Sequence, residues 1–316
     1  MQTISILNPL AALILAPLLL GIINRTKACF AGRKGQPLLQ AYYDLAKLFK
    51  KTPVYSHTTS WIFRAGPLVG LASAITALLV LPIGGGAAVL NFTGDLIFLI
   101  YLLGVMRFFT VVAALDTGSA FEGMGASREV QFSVLAESAL LLSLLAMGEI
   151  GDLALAAGMP EILPRLSLSG IYSSLSFSAW MHSGTVLLLA SSALLVVLLA
   201  ENARIPVDDP TTHLELTMIH EVMVLDHSGP DFAMILYGAA IKLWIFSALL
   251  AGVLVPVRSG NYLVDGTATL GGIFLLAIGI GVIESTMARL RLLRVPQLLS
   301  GAGVLAILAL VLVLKG

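Results

Sequence analysis

The sequence predicts an all-α integral membrane protein, with about eight transmembrane helices plus an amphipathic cytoplasmic helix. Three observations carry that class. The 316 residues are 58% hydrophobic and 11% charged, against about 25% charged in soluble domains. Mean hydropathy is +0.97. Apolar runs of the roughly 20 residues needed to cross a bilayer recur along the whole length.

Spans are expected near 4–24, 66–90, 95–115, 130–148, 178–200, 232–256, 268–288 and 297–314, within a single membrane domain over 1–316. The first apolar run is long, and Arg25 and Lys27 follow it rather than precede it, which suits an anchor that stays rather than a cleaved signal. Net charge is zero, so nucleic acid is not an expected partner, while the lipid bilayer is. Cys29 is the single cysteine, which excludes an internal disulfide and any cysteine-ligated cluster held by this chain alone.

Lys and Arg set the orientation. Thirteen fall in odd-numbered connections, Arg25 to Arg64 supplying eight, and three (Arg165, Arg258 and Lys315) lie on the other side. The odd connections are therefore expected in the cytoplasm and both termini on the outer face of a bacterial or archaeal cell membrane. Arg107 and Lys242 fall inside spans.

The first connection, 25–65, holds Leu38, Tyr42, Leu45 and Phe49 at helical spacing, with Lys47, Lys50 and Lys51 at the end. This reads as an amphipathic helix on the cytoplasmic face, binding lipid headgroups or a partner protein. The third connection, Asp116 to Glu129, has three glycines and reads as a tight loop. Glu137 then lies in span four, eight residues or roughly 12 Å beyond Glu129. A carboxylate inside a span is functional by default, with Arg107 and Lys242 as plausible partners. Plain structural ion pairing is the alternative.

The fifth connection, 201–231, gathers Glu201, Asp208, Asp209, Glu215, Glu221, Asp226 and Asp231, seven of the 18 acidic residues. Leu214, Leu216, Met218, Ile219, Val222 and Met223 make it too apolar for a merely solvated loop, and Pro206 and Pro210 constrain its backbone. His213, His220 and His227 recur every seven residues, but on one helix each interval covers roughly 10.5 Å, too far to share an ion. No metal site is expected, and nucleophile elbows, Walker loops and paired CxxC motifs are absent from the sequence.

Four stretches together resemble a known family. They are Gly32-Arg33-Lys34-Gly35 with Leu39 to Phe49; Leu115 to Ser119 with Gly125 to Glu129 and Glu137; Glu201 to Glu215 with Ser228-Gly229; and Glu284 to Arg291. They resemble subunit 1 of respiratory complex I and its counterparts in membrane-bound group 4 nickel–iron hydrogenases, most closely the hydrogenase-4 and formate hydrogenlyase branch. Against the usual motif, Pro206, Asp208, Glu215 and Leu216 match, while Thr211 and His213 replace glutamates.

The resemblance implies an eight-helix subunit that seats a hydrophilic arm. Expected partners are hydrogenase-like large and small subunits, an iron–sulfur protein and antiporter-like membrane subunits. Nickel–iron and iron–sulfur centres would sit in those partners, none bound by this chain, with quinone a further option. Glu137, Glu201, Asp208 and Glu215 are the expected coupling path, with Asp209, Glu221 and Asp226 in support and Arg107, Arg204 and Lys242 tuning it. Arg33, Lys34, Asp44, Lys47, Arg128 and Glu129 are the expected docking residues, and no residue is assigned a catalytic role. The alternatives are a quinone-binding subunit of an NADH dehydrogenase-like complex or, with no internal repeat to support it, a stand-alone secondary transporter.

Overall fold

Every regular element is helical among the residues described by the computed structural model, which are 2–84, 86–155, 166–208 and 218–315. The helices are α1 (Gln2–Phe30), α2 (Gln40–Phe49), α3 (Trp61–Val80), α4 (Asp95–Asp116), α5 (Ala120–Leu155), α6 (Leu168–Ser174), α7 (Phe177–Glu201), α8 (Gly229–Leu254), α9 (Tyr262–Thr286) and α10 (Val295–Lys315). Eight are long and apolar enough to cross a membrane, all except α2 and α6. Mean hydropathy and span length therefore led to the correct class.

Helix α8 is the most enclosed span and the centre of the packing, with α3, α9, α1 and α7 around it. Trp244, at 0% exposure, is the largest side chain in its core. Helices α5, α7 and α10 form a group on one flank, and α4 joins α3 to α5. At the end opposite the amphipathic helix, buried Asp95 holds the α6 entrance by accepting from the Leu168 amide at 2.6 Å and the Ser167 hydroxyl at 3.2 Å.

Several boundaries differ from expectation. Span one extends to Phe30, so Arg25 and Lys27 ride on the end of α1 rather than in a loop. Span two begins at a Ser60 cap, whose hydroxyl accepts from the Ile62 amide, and ends at Val80 instead of residue 90. Pro82 cannot donate to a continuing helix. Span seven starts earlier, at an Asn261 cap.

The largest correction concerns the third connection. The glycine-rich stretch expected as a loop is helical from Ala120, and the turn shrinks to Thr117–Ser119. Gly125 serves close packing rather than chain reversal: a Cβ there would lie 2.3 Å from Val222 Cγ1 and 3.0 Å from the Ile219 carbonyl oxygen. The first turns of α5 thus dock on the segment between α7 and α8.

Helix α2 is amphipathic, as its pattern predicts. Leu39, Tyr43 and Phe49 are exposed, and it rests on α1 and α8. Its anchorage depends on Gly21, where a Cβ would lie 2.0 Å from the Leu38 carbonyl oxygen. The Tyr42 hydroxyl also donates to the Ile14 carbonyl.

Candidate functional site

Five elements meet around the C-terminal end of α7. Helix α4 supplies Arg107, α5 supplies Glu129 and Glu137, α7 ends in Glu201, α8 supplies Lys242, and the α7–α8 connection supplies Asp208 and His220.

Arg107 is the hub. Its Nε donates to Glu129 at 3.1 Å, Nη1 pairs with Glu137, and Nη2 reaches both Glu201 oxygens at 2.7 Å. Glu129 and Glu137 stand about two turns apart on one helix. A guanidinium can serve both because its donors point in different directions from one plane. Glu201 also takes Lys242 Nζ at 2.7 Å. Asp208, 2% exposed, accepts from the Ile219 and His220 amides and from Arg289 at 2.9 Å.

His220 lies between the two halves. Its Nε2 is 3.0 Å from Glu129 and its Nδ1 3.7 Å from Asp208. Burial opposes charge on the ring, but the Glu129 carboxylate and the contacts with Asp208 outweigh it and raise the imidazole to about 9. For Asp208, burial pushes the carboxyl up, yet His220 and Arg289 hold it below its ordinary value. Among the described residues, with His220 protonated, the acids Glu129, Glu137, Glu201 and Asp208 face four cations, Arg107, Lys242, Arg289 and His220. Such balance is what lets ionised groups remain buried.

The cluster floors a cavity of about 420 Å³, walled by Leu20 and Gly21 of α1, Ala41 and Leu45 of α2, and Ile235 and Leu236 of α8. Arg107, Glu129, Glu201, His220 and Lys242 form its polar floor, and Asp44 and Gln40 line it from α2.

Of the expected coupling residues, Glu137, Glu201, Asp208, Arg107 and Lys242 meet in this cluster. Glu221 lines the cavity. Asp226 is exposed, its amide donating to buried Glu122 at 3.2 Å. Arg204 does not join the cluster: it pairs with Glu284 at 3.3 Å, and Glu284 also takes Lys27 at 2.8 Å. Asp209, Glu215 and His213 lie outside the described residues.

Of the expected docking residues, Arg33, Lys34, Asp44 and Lys47 are exposed, and Arg128 is part-buried, donating to the Met218 carbonyl at 2.9 Å. Glu129 is not on that surface. It is 4% exposed and part of the ion cluster, because the helical course of residues 120–129 turns it inward toward Arg107.

Sequence reasoning passed over Glu284, Arg289 and the bridging place of His220. Glu284 could have been found, since it is a carboxylate inside an expected span. His220 carried a weaker signal, an ionisable group directly following Met218 and Ile219. The seven-residue histidine spacing has no shared role in what is described, since His227 stacks on Phe63 with centroids 3.9 Å apart.

The chain matches the model of the NADH dehydrogenase family over residues 2–315. It is 33% identical to formate hydrogenlyase subunit 4 of Escherichia coli (strain K12) over 310 residues, covering 93% of this chain and 94% of that one. It is 32% identical to hydrogenase-4 component C of the same organism over 287 residues, covering 89% and 86%. Among solved structures, the fold is similar to a chain of the membrane-bound sulfane sulfur reductase, an archaeal respiratory membrane complex. That match has a TM-score of 0.78 at 22% identity and covers 98% of both chains.

Proposed function

This chain belongs to the NADH dehydrogenase family, that of complex I subunit 1, and is a multi-pass membrane subunit of the complex I-like or group 4 hydrogenase type; on that premise we propose that it seats a hydrophilic redox arm and couples electron transfer there to ion movement. One observation carries the reading: Arg107, inside a span, is held by three carboxylates from two other helices, and that cluster continues through His220 to Asp208. Burying so many charges is costly. A network that shares protons gives that cost a use, because each group's proton affinity depends on its neighbours' charges.

In this reading the arm sits on the face bearing Arg33, Lys34, Asp44, Lys47 and Arg128. The arm holds the nickel–iron or iron–sulfur centres, and antiporter-like membrane subunits receive the signal from the cluster. A redox event at the arm shifts the charge near the cavity. The cluster answers by moving a proton along Asp208, His220, Glu129 and Glu201. Purification of the intact complex followed by Glu201→Gln tests this. The amide keeps size and hydrogen bonding but removes titration, so the variant should assemble, retain dye-linked redox turnover and lose ion translocation. Translocation at the wild-type ratio would refute the reading. Asp44→Asn or Arg128→Ala should release or uncouple the arm without affecting insertion.

A second reading is favoured by the cavity. Its volume of about 420 Å³, apolar walls and charged floor suit a quinone headgroup with a short stretch of tail. Photo-crosslinking of a quinone analogue to Leu45 or Ile235 would support it, and no labelling above background would count against it.

A further inference from the structure

The cluster has two halves, and among the described residues the His220 side chain joins them. Arg289 and Asp208 form the half nearest the connection, while Arg107, Glu137, Glu201 and Lys242 form the half among the spans. Resting on the coupling reading above, we infer that the His220 imidazole is a turning relay that carries a proton between Asp208 and Glu129.

Three features of the ring support this role. It lies within ion-pair distance of a carboxylate on each side, 3.0 Å at Nε2 and 3.7 Å at Nδ1. Neither nitrogen is aligned for a hydrogen bond, so charge holds the ring in place without fixing its rotation. Its side chain is 23% exposed and lines the cavity, while both ring nitrogens are buried beside the carboxylates. Among the described residues, the charged groups facing it are Glu129 from α5, Asp208 from the connection and Lys242 from α8. Lys242 disfavours a second positive charge nearby and so favours proton release, whereas the two carboxylates favour proton capture.

The step balances. The imidazolium gives its Nε2 proton to Glu129, breaking that N–H bond as the carboxyl O–H forms. Asp208, ion-paired with Arg289 at rest, first takes up a proton from the connection side; the neutral ring then turns, and its bare nitrogen takes that proton, restoring the cation and returning Asp208 to the carboxylate. One proton has moved across the junction, and no electron is transferred.

The test uses the intact complex in proteoliposomes, with a viologen dye driving redox turnover and a trapped pH indicator reporting proton movement. His220→Lys retains the positive charge but stays protonated between carboxylates and offers only one nitrogen. Proton movement per turnover should fall about a hundredfold, the low end of what a positioned proton-transfer group contributes, with dye-linked turnover retained. Wild-type coupling in His220→Lys would overturn the relay and leave charge as the only role. Wild-type complex that moves sodium but no protons would also overturn it while sparing the coupling reading, and wild-type complex that moves no ion overturns both. Should His220→Lys fail to assemble, wild type alone decides. Proton movement per turnover should then decline as pH rises through about 9, and a ratio flat to pH ~10 would overturn the relay.

Discussion

Arg107 Nη2 lies 2.7 Å from both carboxylate oxygens of Glu201, although 94 residues separate them in the chain. The pair fastens α4 to the end of α7 inside the membrane domain. Because Glu129 and Glu137 share the same guanidinium, removing Arg107 takes a cation from three acids at once, with Glu201 keeping Lys242 and Glu129 keeping His220, while removing any one acid leaves the cation two partners.

That asymmetry gives the first prediction. Arg107→Gln should destabilise the solubilised protein by about 3–5 kcal/mol, the usual cost of leaving buried charge uncompensated. Glu137, whose side chain is 36% exposed, should tolerate Glu137→Gln with little loss of stability, and the effect should instead be reduced ion translocation. Thermal unfolding and proteoliposome assays read the two quantities separately. Equal destabilisation by both variants would refute the hub role of Arg107.

Stability should peak near pH 6.5, bounded by two histidines. His227, stacked on Phe63, is lowered by burial from 6.5 to about 4. Its contribution is complete above pH 6.5 and lost as pH falls through about 4. His220 is raised from 6.5 to about 9, so its contribution is complete below pH 6.5 and lost as pH rises through about 9. His227→Phe should flatten the acid limb and His220→Gln the alkaline limb of a melting-temperature profile. An unchanged acid limb in His227→Phe would contradict the assignment.

Gly21→Ala should lift α2 off α1, because the new methyl would meet the Leu38 carbonyl oxygen at 2.0 Å. Overpacking of this kind costs about 1–3 kcal/mol. Since α2 walls the cavity, limited proteolysis between α1 and α2 should also speed up, and wild-type digestion kinetics would show the contact to be dispensable.

Topology is open to a labelling experiment. Thirteen basic residues in odd-numbered connections against three on the other side predict outer-facing termini. In a Cys29→Ser background, Gln36→Cys should resist an impermeant thiol reagent in intact cells and react after lysis. Labelling of intact cells would reverse the orientation.

The sequence by itself determined the class, the eight spans and the acids and cations that would have to be dealt with inside them. These follow from local composition: a bilayer demands about 20 apolar residues per span, and charged groups within that length stand out without reference to anything else in the chain. Arg107, Glu137, Glu201 and Lys242 were legible for that reason. The partnerships were not. Arg204 looked equivalent to Arg107, yet the packing of α1 and α9 gives it Glu284 and leaves it outside the cluster. Glu129 read as a surface residue because three nearby glycines signalled a loop. In the structure that stretch is helical, with Gly125 packed close against Val222, and the helix turns Glu129 inward. His220 gained its place between Asp208 and Glu129 from the same docking of the α7–α8 connection on α5. Which charges meet depends on how distant helices are packed and rotated, and that information exists in the tertiary structure alone.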